Sequence, residues 1–291
     1  MFTGSIVALI TPFKNGKLDI KGLKKNLQFQ LENDTDGFLP CGTTGETSSL
    51  EEDEWIEIVK TTIEFINKRK PVIVGTGTNN TKKTIKYTLL AEKLGADACL
   101  VVAPYYNKPT QEGLYQHFKE VSQSVKIPII LYNIPSRTGV NILPKTLERL
   151  ISDCKNIIGI KEASGNLDQV SEIISGLGNN FIVLSGDDSL TLPILSLGGK
   201  GVISVLANIL PKETHLLVKN FLEGNIKKAR KIHLKYFKLM KALFIETNPI
   251  PIKTAMNLMR LPAGELRLPL TPMTRENLEY LKSVMKELNL I

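Results

Sequence analysis

Lys161 closes the apolar run Ile157-Ile158-Gly159-Ile160. Such a run reads as a buried β-strand. An ammonium at its end loses water, and desolvation disfavours its charged form. A lysine with a lowered pKa is a nucleophilic amine, suited to a Schiff base with a carbonyl substrate. The plain alternative is a lysine that leaves the core for solvent or pairs with Glu162. Other apolar runs also end in reactive or polar residues. One ends in Cys41-Gly42-Thr43-Thr44-Gly45-Glu46. There, glycines permit close backbone approach, and two hydroxyls beside exposed N–H groups suit a carboxylate. A simple capped Gly-Thr turn is the competing reading. Further runs end in Pro104-Tyr105-Tyr106-Asn107, in Tyr132-Asn133-Ile134-Pro135 followed by Ser136-Arg137-Thr138-Gly139, and in Gly186-Asp187-Asp188. A tyrosine near a Schiff-base lysine moves protons as a general acid/base; strand-end tyrosines also serve as half-buried packing. Arg137 suits bidentate recognition of a carboxylate, or else a surface salt bridge. Cys41 reads as packing rather than as a nucleophile.

Chemistry of this kind requires the run ends to converge. Eight β-rich runs recur, at residues 5–11, 38–42, 71–76, 99–104, 128–133, 157–161, 181–186 and 201–207. Helical patterns or helix-sized gaps separate them. Trp55-Ile58-Val59-Thr62-Ile63-Ile66 keeps a period of three to four residues, and Ser49-x-x-Glu52 resembles a capping box before it. Gly95 and Gly113 read as turn punctuation. Strand–helix alternation eight times over predicts an α/β fold, a closed parallel (β/α)8 TIM barrel, whose active site lies where the strands end. The rival open sheet needs Gly-x-Gly-x-x-Gly after the first strand, and none is there. After Ala207, residues 211–222, 226–245, 251–258 and 274–288 all read as helices. The expected division is a barrel catalytic domain over 1–224 and a C-terminal helical extension over 225–291.

Bulk composition narrows the partners. The 291 residues are 42% hydrophobic and 23% charged, an ordinary globular balance. No apolar stretch is long enough to predict a membrane span, and the first residues read as a strand rather than an export signal. Cys41, Cys99 and Cys154 lack a paired spacing, which fits free thiols in the cytoplasm. The net charge of +8 is spread over dispersed lysines, with no arginine tract or aromatic-basic interleaving, so nucleic acid is not an expected partner. His117, His215 and His233 are far apart and lack metal-ligand spacing; they read as structural.

Three segments resemble the dihydrodipicolinate synthase family: Gly42-Thr43-Thr44-Gly45-Glu46, Tyr132 through Gly139, and Gly159-Ile160-Lys161-Glu162-Ala163. The likeness runs essentially end to end, taking in Leu114-Tyr115-Gln116-His117-Phe118, Ser185-Gly186-Asp187-Asp188 and Asn248-Pro249-Ile250-Pro251. It implies a lyase of lysine and diaminopimelate synthesis that condenses pyruvate with L-aspartate 4-semialdehyde, without cofactor or metal. Lys161 would form the Schiff base with pyruvate. Tyr132, Thr43 and Tyr106 would relay protons, Tyr106 from a neighbouring subunit. Thr44 would hold the pyruvate carboxylate and Arg137 that of the semialdehyde. Ile203 would offer a backbone carbonyl near Lys161, and Gly186 would shape the pocket. The resemblance also implies a homotetramer, a dimer of dimers. Some members of the wider family instead cleave sialic acid or 2-keto-3-deoxy sugar acids, but they do not generally keep the arginine after Tyr-Asn-x-Pro. In members that L-lysine inhibits, the effector sits near the positions of Thr47, Ser48, Asn79 and Tyr105. A histidine commonly lies at the position of Glu52 or Trp55 and a glutamate at that of Lys83, so this chain is expected to respond weakly or not at all.

Overall fold

In the computed structural model, which describes residues 2–178 and 180–291, eight parallel strands wrap into a barrel. They are β1 (Gly4–Ala8), β2 (Gly37–Leu39), β3 (Ile73–Gly75), β4 (Ala98–Val102), β5 (Ile129–Asn133), β6 (Ile157–Glu162), β7 (Ile182–Ser185) and β8 (Gly201–Ser204). The ladder runs β2-β1-β8-β7-β6-β5-β4-β3. A bridge between Phe38 and Val72, with the Phe38 N–H donating to the Pro71 carbonyl at 2.9 Å, joins the two ends. Closure leaves no edge strand unpaired.

Side-chain alternation builds two cores from one set of strands. Ile6, Ala8, Leu39, Ile73, Leu100, Ile130, Tyr132, Leu184 and Ile203 fill the barrel. Their neighbours Val7, Phe38, Val74, Val101, Leu131, Ile160 and Val183 face the helices. Both faces are dry, which is why the strands read as nearly continuous apolar runs. Besides the one-turn helix Pro135–Thr138, the helices around the barrel are α1 (Ile20–Glu32), α2 (Glu52–Ile66), α3 (Thr81–Leu94), α4 (Gln111–Ser124), α5 (Pro144–Asp153), α6 (Leu167–Leu177), α7 (Thr191–Ser196) and α8 (Pro211–Leu222).

Several boundaries differ from the sequence reading. The run 201–207 leaves the sheet after Ser204, because the Val205 and Leu206 N–H groups turn onto the Asp188 carboxylate. Helix α2 is capped by Glu51 and Glu54, which exchange hydrogen bonds, and not by Ser49 and Glu52; the Ser49 hydroxyl donates to the Glu46 carbonyl. Gly95 ends α3 in the left-handed region, as punctuation should, whereas Gly113 lies inside the first turn of α4, capped by Thr110.

Beyond α8 come α9 (Ile226–Ala242), α10 (Ile250–Leu258) and α11 (Arg275–Glu287). The helix expected to reach residue 245 ends three residues earlier. Leu239, Met256 and Leu281 of these helices share one core with Val202, Leu206 and Leu217 of the barrel. The segment from Asn248 into α10 returns to the barrel mouth. Among the described residues no helix is long and apolar enough to cross a membrane.

Candidate active site

Parallel pairing in register makes Tyr132 of β5 and Lys161 of β6 direct partners, and the two side chains meet in the barrel interior. Lys161 is 6% exposed, and its Nζ lies 4.1 Å from the centre of the Tyr132 ring. Burial lowers its pKa to about 7, helped by Arg137 and opposed by the negative charge of Asp188. A lysine running out to solvent is therefore excluded. So is pairing with Glu162. That residue faces the other way along the strand, where its carboxylate accepts from Asn133 Nδ2 at 3.0 Å, Gln169 Nε2 at 3.2 Å and the Ser164 N–H at 2.6 Å.

Gly186 follows β7. A Cβ there would stand 3.2 Å from Lys161 Cε and 2.6 Å from the Ala163 methyl, so its missing side chain is room for the lysine. Two residues on, the buried Asp188 carboxylate accepts from the Val205 and Leu206 N–H groups at 3.0 and 2.9 Å and from the Ser204 hydroxyl. Desolvation still pushes its pKa up to about 6. Asp188 thus fixes the end of β8 just beyond Ile203, which packs in the same interior cluster as Tyr132.

Beside Tyr132 opens a cavity of about 210 Å³ whose walls include Gly42, Thr43, Tyr105, Tyr132, Ile134 and Arg137. Burial pushes the Tyr132 phenol up to about 12, while Arg137 and the Thr43 side chain pull it down. Thr43 and Thr44 lie in a single 3₁₀ turn, Thr43–Gly45, that ends on Glu46 in the left-handed region at φ 54°. The Thr44 hydroxyl is buried and accepts from Asn248 Nδ2 at 3.0 Å. Arg137 stands at the mouth, and its Nη2 donates to the Asn248 carbonyl at 3.0 Å. Asn248 therefore joins the two expected carboxylate-binding residues, and its Oδ1 is buried without a partner among the described residues.

The structure brings together Lys161, Tyr132, Thr43, Thr44, Arg137, Gly186 and Ile203. It leaves Tyr106 apart: that side chain is 89% exposed on a loop with φ 74°, and Tyr105 lines the cavity instead. Among the described residues no group of histidines, cysteines and carboxylates is placed to hold a metal ion. Burial drives the Cys41 thiol far above its ordinary range, the reverse of what a nucleophile needs. His117 is lowered to about 4 by burial and sits beside the Thr81 hydroxyl at 2.9 Å.

The sequence model of the dihydrodipicolinate synthetase family matches residues 1–288. The chain belongs to the dihydrodipicolinate synthetase family. It is 53% identical to a 4-hydroxy-tetrahydrodipicolinate synthase from Geobacter sp. (strain M21), over the full length of both chains. The crystal structure of dihydrodipicolinate synthase from Aquifex aeolicus superposes with a TM-score of 0.98 at 51% identity, covering 99% of each chain. The enzyme of that family from Cyanidioschyzon merolae, solved with lysine bound, superposes at 0.96 with 40% identity, covering 100% of this chain and 99% of that one. Asn248 and Asp188 went unassigned in the sequence. Asn248 reads there as a helix break before proline, and Asp188 as one of two acidic residues after a strand; neither local pattern carries a distance to the lysine.

Proposed function

We propose that this chain condenses pyruvate with L-aspartate 4-semialdehyde to give 4-hydroxy-tetrahydrodipicolinate. The observation that carries the reading is Lys161: a buried amine with a pKa of about 7, set against the ring of Tyr132, which with Arg137 walls a cavity. Lys161 Nζ adds to C2 of pyruvate, and loss of water leaves an imine. Loss of a methyl proton gives the enamine, whose carbon attacks the aldehyde to form the new C–C bond. The substrate's own amine then closes onto the imine carbon and releases Lys161. Tyr132, with Thr43 beside it, moves protons at the imine. Thr44 takes the pyruvate carboxylate through its hydroxyl and N–H, and Arg137 takes that of the semialdehyde. Gly186 leaves space for the lysine, and the role assigned to Ile203 is a backbone carbonyl near it.

Tyr106 completes the relay in a neighbouring subunit. Its exposure and left-handed backbone support a ring presented outward to a second copy. The assembly is a homotetramer built as a dimer of dimers. Residues 1–224 form the catalytic barrel and 225–291 the helical extension. The enzyme works in the cytoplasm, in keeping with its three buried free thiols.

Borohydride reduction of the full-length protein in the presence of pyruvate tests the reading. A mass increase of one reduced pyruvate adduct, mapped to Lys161, is the expected result. No adduct, or one on another lysine, refutes it.

A further inference from the structure

Lys253 of α10 is 1% exposed, and all three of its ammonium protons are used. Nζ donates to Glu46 Oε1 at 2.7 Å, to the Thr11 carbonyl at 3.0 Å and to the Glu265 carbonyl. The Glu46 side chain is fully buried as well, and its Oε2 accepts from the Arg267 N–H at 3.0 Å. Removing two charges from water is unfavourable, and an apolar pair of equal volume often serves stability as well or better. What such a pair does supply is a defined geometry.

The geometry in question is that of the turn carrying Thr43 and Thr44. Glu46 ends this turn in the left-handed region, which non-glycine residues seldom occupy, with its N–H on the Thr43 carbonyl at 3.1 Å. A carboxylate bound on both oxygens holds it there. Thr11 reinforces the hold from the other side: its carbonyl accepts from Lys253, and its hydroxyl donates to the Gly45 carbonyl at 2.7 Å. Neither Lys253 nor Glu46 lines the cavity beside Tyr132.

We infer that Lys253 is a positioning residue for the reaction, acting through Glu46 to hold the Thr43–Thr44 turn in its pyruvate-binding geometry. The inference rests on the role proposed above for Thr44.

Three variants of the full-length enzyme test it by steady-state kinetics, pyruvate trapping and thermal denaturation. Lys253→Met is expected to raise the KM for pyruvate by roughly tenfold or more, with a smaller change in the KM for aspartate semialdehyde. It also lowers Tm, because the Glu46 carboxylate loses its partner. In Glu46→Gln with Lys253→Met, no buried charge is left unpaired. Part of the Tm loss is then recovered, while the KM for pyruvate stays raised. A wild-type pyruvate KM in Lys253→Met, or a KM that recovers along with Tm in the double variant, overturns the inference and makes the pair purely structural. Should Lys253→Met fail to fold, Glu46→Gln alone carries the test, because it takes the charge from the carboxylate that Lys253 holds: a pyruvate KM raised severalfold supports the inference, and an unchanged KM overturns it. Wild-type enzyme that traps no pyruvate would instead remove the proposed function, and with it the role of Thr44.

Discussion

Nζ of Lys161 stands 4.1 Å from the centre of the Tyr132 ring, and the two residues are register partners on adjacent strands. The next pair along, Asn133 and Glu162, is hydrogen-bonded on the opposite face of the same strands. A slip of β6 by one residue would exchange its two faces, turning the amine toward the helices and the Glu162 carboxylate into the barrel beside Tyr132. The outward network of Asn133, Glu162 and Gln169 therefore guards the inward spacing of amine and phenol.

Lys161→Ala removes the nucleophile. The expected result is loss of the borohydride-trapped pyruvate adduct and of most turnover, with the barrel fold retained by circular dichroism. An adduct persisting on another lysine would place the chemistry elsewhere.

The amine titrates near neutrality. Its pKa of about 7 means that imine formation at low pyruvate should rise from pH 6 to pH 8 and level off above, as the unreactive ammonium is lost. The Asp188 carboxylate favours the charged lysine, so Asp188→Asn should move that midpoint to lower pH. Trapping rates measured across the range decide it; a midpoint that moves upward would mean Asp188 acts on some other group.

Tyr106→Phe keeps the ring but loses the hydroxyl. Turnover should fall by about 10²–10⁴-fold, with oligomeric state and pyruvate trapping preserved. Wild-type turnover would sink the relay across subunits.

Arg137→Ala should weaken aspartate semialdehyde far more than pyruvate, since a charged hydrogen-bond partner for a carboxylate is worth on the order of 1.5–3 kcal/mol. Because Arg137 also donates to the Asn248 carbonyl, some effect on pyruvate through Thr44 is expected. Equal effects on both substrates in steady-state kinetics would make the arginine a scaffold.

L-Lysine should inhibit weakly or not at all. Lys83 does not merely trail into solvent: together with Thr47, Ser48, Trp55, Tyr87 and Tyr105 it lines a small cavity beside the active site, its Nζ 5.8 Å from the centre of the Tyr87 ring. An ammonium there repels that of the amino acid. Glu52 does not offset it, being paired with Lys86 at 2.6 Å. Titrating activity with L-lysine at saturating pyruvate checks this; strong inhibition below the millimolar range would contradict it.

The sequence by itself determined the barrel and which strand ends meet inside it. Eight apolar runs at helix-sized spacing admit few other folds, and each run's end announces a residue at the mouth, because strand burial is a local and periodic signal. It left open whether Lys161 turns to Glu162 or inward, and it placed the α2 cap at Ser49 and Glu52 where Glu51 and Glu54 form it. These depend on which face of a strand or loop meets which partner, and only the closed sheet settles that. The contacts that escaped it altogether span the chain. Asn248 meets Thr44 across 204 positions and Lys253 meets Glu46 across 207. No periodicity links residues so far apart. Their meeting depends on where the C-terminal helices pack, and that is set by the shared core of Leu239, Met256 and Leu281 against Val202 and Leu217, a property of the assembled surfaces rather than of any local stretch.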